Sequence, residues 1–383
     1  MDQPRLIISH DWWNATDART TAGRERREHE LGRNGGEGVV HGNTFPTPAE
    51  IHLQPMKAVR YHEYGGPEVL QVDTVDRPTA GRGELLVEVR AASVNPVDFL
   101  YREGVLGSDE EGAFGGSSLP SVVGTDLAGV VAAVGPDVTG YEEGDRVFGT
   151  GMADAPGATV AEYAVAPADH LARLPEGPSF EEAAAAAHVG GTAWRAIVEF
   201  GDANPGDWVL IHGGSGGVGH VAVQLAALSG ARVVATASSE RARERVLELG
   251  ATEVLDYGRS DLAEAILDAA GGPVDLVLDP HTEEYLNLDV EVTANGGTIT
   301  HINGRFPAIA NANPTRTKEL TMQGVAMHNT PNVDEVMAKL GSLLADGDLQ
   351  INVDRTYAFE EARAAHEAFA KDQIVGKIVL TPE

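Results

Sequence analysis

The sequence predicts an α/β protein built from a β-rich, barrel-like unit and a doubly wound parallel sheet. Three observations predict it. The 383 residues are too many for one small core and suggest two domains of ordinary size. Short Val/Leu/Ala runs punctuated by Gly and Pro fill the stretch from Met56 to about residue 178. From residue 179 onward, strand and helix patterns alternate, and βαβ repetition forces a parallel sheet with helices on both faces.

In the first unit, Met56–Tyr61, Leu85–Ala92, Gly144–Phe148 and Ala161–Ala166 read as short strands, and Val122–Val134 reads as buried strand, turn, strand. Between Gly104 and Pro120 lies a Gly/Ser/acid loop long enough to form a mouth or lid. Ser179 caps a helix that carries Glu181 and Glu182 in its first turn, where the dipole favours acids. Then follow strand Trp208–His212, helix 218–229, strand Arg232–Ala237, helix 240–249, strand Glu253–Asp256 and helix 260–270. Strands Val274–Asp279, Gly297–Ile302 and Leu320–Met327 come next. Helix Val333–Ala345, strand Leu349–Val353, helix Phe359–Lys371 and strand Gly376–Leu380 finish the chain.

Composition narrows the chemistry. With no cysteine, there are no disulfides, thiolate metal sites, iron–sulfur clusters or cysteine nucleophiles. No window approaches 18 uninterrupted apolar residues, so no membrane-spanning helix is expected. Fifty-eight acids against 28 bases give a net charge of −30, a field that repels nucleic acid. Molar salt shortens the Debye length to about 3 Å and relieves that self-repulsion. A salt-adapted cytoplasm is the expected setting, because the acids are spread through folded-looking sequence. Residues 1–55 show no sustained period and no apolar signal core; they read as a disordered extension or a mis-called start, with Met56 the working start.

The strongest local signal runs from Val209 to Gly219. An apolar strand enters Gly214-x-Gly216-Gly217-Val218-Gly219, an Ala/Val/Leu helix follows, and a second strand begins at Arg232. Glycines let the backbone turn tightly and approach a pyrophosphate, whose charge sits on unpaired N–H groups at a helix N-terminus. The chain is therefore expected to bind a dinucleotide. NAD binders carry an acid at the end of the second strand, where it accepts from the ribose 2′-OH. Here that strand ends in Ala237, Ser238 and Ser239, with Glu240 and Arg241 beyond. Two hydroxyls and an arginine in place of the acid favour NADPH, although one residue of register would put Glu240 in the acid's place.

Six ordered segments carry a family resemblance: Met56-Lys-Ala-Val, Gly65-Gly-Pro-Glu-Val-Leu70, Ser93-Val-Asn95-Pro-Val-Asp98, Val123-Gly-Thr-Asp126-x-Ala-Gly129, Gly144-Asp-Arg-Val147 and Gly376-Lys377-Ile-Val-Leu380. From Met56 onward the chain resembles the medium-chain dehydrogenase/reductase superfamily, in its zinc-independent quinone oxidoreductase (zeta-crystallin-like) branch. The resemblance implies a GroES-like catalytic domain at 56–178, a Rossmann NADP-binding domain at 179–327, and a return to the catalytic domain at 328–383. The active site would then lie in the cleft between them.

Zinc-dependent relatives have Gly-His-Glu where this chain has Gly124-Thr125-Asp126. With cysteine absent as well, no metal is expected, and His188, His212 and His301 read as packing or loop residues. The resemblance implies Asn95 near the nicotinamide and substrate oxygen, with Asp98 as its acidic partner. Relatives place a substrate-binding Tyr where this chain has Leu100, leaving Tyr101 next to it as the candidate donor. It further implies cofactor contacts from Thr192, Tyr257, Asn303 and Lys377. The expected activity is metal-free, NADPH-dependent reduction of quinones or related conjugated carbonyl compounds. An enone or enoyl reductase of the same branch, and a nucleotide-binding redox-sensing protein with little turnover, stay open. The expected assembly is a homodimer through the Leu320–Met327 edge.

Overall fold

The computed structural model describes residues 54–106, 119–150, 159–302 and 308–382. Most of the expected extension, most of the 104–120 loop, and Asn303 lie outside them. Pro55–Glu383 forms one compact unit.

The chain enters through β1 (Pro55–Tyr61), which pairs antiparallel with β2 (Gln71–Asp76). The sequence pattern gave no sign of β2 because none of its six residues is buried, so no apolar alternation marks it. β3 (Glu84–Ser93) runs through the middle of the larger sheet and leads into α1 (Pro96–Arg102), a helix absent from the expectations. Pro96 opens α1 with a φ already suited to a first turn. The run Val122–Val134 divides as expected, into β4 (Ser121–Val122) and β5 (Asp126–Val134) around Gly124, whose φ is +106°. β6 (Arg146–Thr150), β7 (Tyr163–Pro167) and β8 (Leu171–Arg173) complete the barrel-like half.

α2 (Phe180–Trp194) begins as expected at Ser179, whose Oγ accepts from Glu182 N while Glu182 returns a carboxylate to Ser179 N. Its buried alanines, Ala183–Ala187, let it lie between the two halves, against β3, β5 and β6 on one side and a later helix on the other. Then comes the alternating half: β9 (Trp208–Ile211), α3 (Gly217–Leu228), β10 (Arg232–Ala237), α4 (Glu240–Glu248), β11 (Glu253–Asp256) and α5 (Leu262–Ala270). β12 (Val274–Asp279), α6 (Thr282–Val292), β13 (Thr293–His301), α7 (Asn313–Thr317) and β14 (Thr321–Gly324) follow. All six strands are parallel, in the order β11-β10-β9-β12-β13-β14. Strand order reverses beside β9, the position at which open α/β sheets bind ligands.

The last segment is α8 (Val333–Asp346), β15 (Val353–Ala358), α9 (Ala362–Lys371) and β16 (Lys377–Thr381). β16 returns to pair with β3, so the chain's end belongs to the first half's sheet. Two expectations need correction. A strand at Leu349–Val353 is replaced by one starting at Val353; Leu349 and Ile351 are buried by packing, not by pairing. The connection between Asp279 and Gly297 contains α6, whose inward face mixes Leu286 and Val290 with Asp289 and so lacked a clean apolar stripe. Among the described residues, no helix is long and apolar enough to cross a membrane.

Candidate active site

β9 ends at Ile211, and the chain turns at Gly213, whose φ of +64° suits glycine. Gly214 N donates to Thr236 O (2.8 Å) and Gly213 N to Thr236 Oγ1 (3.1 Å), which pins the turn to the end of β10. Gly216 N closes on Gly213 O at 2.9 Å. A Cβ on Gly219 would stand 2.1 Å from that same oxygen and 2.9 Å from Gly214 Cα, so only hydrogen fits. Gly217, Val218 and Gly219 form the first turn of α3, where backbone N–H groups lack helical partners and attract an anion. The turn thus fits a pyrophosphate by its own shape.

The turn is bonded to the far end of the chain. Gly376 N donates to Ser215 O (2.8 Å), and a Cβ on Gly217 would meet Lys377 Cδ at 3.3 Å. Lys377 is buried, and its ammonium donates to Val94 O (2.7 Å) and Asn95 Oδ1 (2.5 Å). The other end of the Asn95 amide donates to Asp126 Oδ2 (2.9 Å) and Thr125 Oγ1 (3.2 Å). Asp126 also accepts from Ser93 N (2.9 Å) and Ser93 Oγ (2.8 Å). Asn95 is fully buried with both amide atoms engaged, so it joins charges within the protein wall instead of presenting a free donor.

Asp98, on α1, accepts from Asn95 N (2.8 Å), and its other oxygen has no partner among the described residues. Burial, then the charge of Asp126, raises its carboxyl to about 7, against the pull of the Asn95 N–H and Lys377. Burial pushes the Asp126 carboxyl up and the Lys377 ammonium down, while each charge holds the other ionised. Tyr101 is buried on the same helix, its phenol raised by burial, Asp98 and Tyr61. Thr192 lies on α2, one turn beyond Val189, which packs on Gly217; its hydroxyl donates to His188 O (2.8 Å) and remains able to accept.

At the other end of the turn, Ser239 caps α4, accepting from Ala242 N at 3.3 Å. That cap resolves the register question: Glu240 is the first helical residue, largely exposed and paired with Arg243 (2.7 Å), not the terminal residue of the strand. Arg241 turns away to Asp354 (2.9 Å). Arg243 reaches back to Ser238 O (3.4 Å) and to Asp256 (3.2 Å), next to the half-exposed Tyr257. Among the cofactor candidates, Asn303 lies outside the described residues.

Asp126, Ser93 and Thr125 were not singled out as functional. In the sequence, Asp126 is marked only as the last member of the Gly124-Thr125-Asp126 triplet that stands where zinc-dependent relatives have Gly-His-Glu. Also unforeseen is a buried group below the turn: His212 Nε2 meets Asp289 Oδ1 at 2.9 Å, and its ring stacks on Tyr285 with centroids 4.3 Å apart. Burial lowers His212 to about 4 and raises Asp279 and Asp289 to about 7.

Comparison with known proteins identifies the family. Residues 81–176 match the alcohol dehydrogenase GroES-like domain, and residues 217–342 match the zinc-binding dehydrogenase domain. The quinone oxidoreductase of Sus scrofa is 32% identical over 330 residues, covering 85% of this chain and 97% of the relative. The chain belongs to the quinone oxidoreductase family of the medium-chain dehydrogenase/reductase superfamily. It is an oxidoreductase. A solved structure described as an NAD-dependent alcohol dehydrogenase superposes with a TM-score of 0.77 at 31% identity, covering 86% of this chain and all of that one. A mycobacterial structure complexed with NADPH gives 0.75 at 28%, covering 85% and 100%. Among the described residues, no three His, Cys, Asp or Glu side chains are grouped to hold a metal, despite the name of the second domain family.

Proposed function

We propose that this oxidoreductase is an NADPH-dependent, metal-free reductase of quinones or related conjugated carbonyl compounds. Residues 56–178 and 328–383 make the catalytic half and 179–327 the nucleotide half. The observation that carries the reading is the Gly376 N–Ser215 O bond. Through it, the phosphate-fitting turn and the buried Asn95–Lys377–Asp126 group share one wall. When bound, the reduced nicotinamide supplies hydride.

The residues of this chain supply the rest. First-turn N–H groups of Gly217, Val218 and Gly219 hold the pyrophosphate. Arg243, freed from Glu240 and Asp256, pairs with the 2′-phosphate, while Ser238 and Ser239 hydroxyls donate to it. The mycobacterial complex with NADPH supports that preference by analogy. Thr192 receives the carboxamide side, and Tyr101, whose raised phenol keeps its proton at neutral pH, donates to the acceptor oxygen. Two copies pair through the open edge of β14 and work in salt-rich cytoplasm.

An acceptor screen tests the reading. Benzoquinone, naphthoquinone and an alkyl enone are offered with NADPH, and separately with NADH, in high salt. Quinone-dependent NADPH oxidation is the expected result. Turnover of the enone alone would make the chain an alkene reductase. Cofactor binding without any oxidation would make it a nucleotide-binding sensor.

A further inference from the structure

The Asn95 amide has two possible orientations, and the structure shows what selects one. Its oxygen meets the ammonium of Lys377 and its nitrogen meets the carboxylate of Asp126. Flipping it would set donor against donor at one end and acceptor against carboxylate at the other. Lys377 has an unusual position for this task. Its neighbour Gly376 is bonded to the nucleotide turn, its own N–H donates to Asn352 O (2.8 Å), and its stem passes under Gly217. Burying an ammonium is costly, and an apolar side chain would fill the same space more cheaply. The charge therefore has work beyond packing.

We propose that Lys377 is a positioning residue: joined to the nucleotide turn through its neighbour Gly376 and to Asn95 by its ammonium, it sets the wall of the reduction site in register with the bound dinucleotide. This rests on the reading of the site as a nucleotide-dependent reductase. The charged and titratable groups facing Lys377 are Asp126 on β5, Asp98 on α1, His188 on α2 and His220 on α3. Asp98 is pulled in opposite directions by its two charged neighbours: Asp126 raises its carboxyl and Lys377 lowers it. The two neighbours can therefore be told apart by the direction in which their loss moves a titration.

The experiment compares wild type, Lys377→Met, Lys377→Arg and Asp126→Asn for NADPH affinity by calorimetry and for kcat as a function of pH. Expected for Lys377→Met are an NADPH Kd within about threefold of wild type and a kcat reduced by about a hundredfold or more. The apparent pKa near neutrality in its kcat profile should move up. In Asp126→Asn the same step should move down, and Lys377→Arg should recover part of the lost kcat. Should Lys377→Met fail to fold, Asp126→Asn and Lys377→Arg decide the matter by the same criteria. A folded Lys377→Met with wild-type kcat overturns the proposal. So does a profile with no such step or an unmoved one, or a loss of NADPH affinity that matches the loss of kcat. Wild type that fails to bind NADPH overturns instead the functional reading on which the proposal rests.

Discussion

Gly219→Ala is the sharpest test of how the turn binds. The added methyl would stand 2.1 Å from Gly213 O, 2.8 Å from Gly213 C and 2.9 Å from Gly214 Cα, all backbone atoms. No side chain can swing aside, so the turn must open by about an ångström to restore ordinary contact. Overpacking of this kind costs about 1–3 kcal/mol of stability. The larger effect is on binding, because opening the turn misdirects N–H groups toward the phosphates. A hydrogen bond to a charged group contributes about 1.5–3 kcal/mol, so losing one weakens binding by about 10- to 150-fold. Gly216→Ala separates the two effects, since its new methyl meets only Gly213 O at 3.3 Å and should spare stability, while standing where the backbone nears the pyrophosphate. Calorimetric titration with NADPH, alongside thermal melts, measures both effects. A folded Gly219→Ala that binds NADPH within about threefold of wild type would refute the claim that this turn cradles the pyrophosphate.

Other expectations follow from charge and burial. Arg243→Ala should weaken NADPH by about tenfold or more and leave NADH nearly untouched, read as a ratio of the two Kd values. The Asp98 carboxyl, raised to about 7 from an ordinary 3.8, binds more protons in the folded than the unfolded state between those values. Its contribution to stability is therefore present below about pH 4 and lost as pH rises through 7. Asp98→Asn should accordingly lose less stability than wild type between pH 5 and 8 in denaturant titrations, and an identical loss would contradict the assignment. With a net charge of −30, thermal stability should rise toward molar KCl; a maximum below about 0.1 M would remove salt adaptation from the account. Sedimentation at that salt should show a dimer, and a clean monomer would count against pairing at β14.

Periodicity and punctuation made most of the parallel sheet legible, because its central strands, such as Trp208–Ile211 and Arg232–Ala237, are largely apolar runs and helices such as Leu262–Ala270 carry an apolar stripe. The failures share a cause. β2 has no buried residue, and α6 turns Asp289 inward to meet His212, so neither shows a pure apolar period. The glycine turn was legible because its shape demands residues without side chains. The Lys377–Asn95–Asp126 group was legible only as separate pieces. Its members lie at three distant points of the sequence, and the topology that joins β3, β5 and β16 is what brings them together. Helical position alone does not tell which of Arg241 and Arg243 meets an acid across the domain. Asp354 claims Arg241 from a strand more than a hundred residues away.

Direct calorimetry of the wild-type chain with each reduced pyridine nucleotide, in molar KCl, addresses the central claim most simply. One NADPH is expected per chain, bound more tightly than NADH. If neither nucleotide evolves heat or competes for the protein while it remains folded, the turn that ends in Gly219 is not a coenzyme site, and the proposed reduction has no source of hydride.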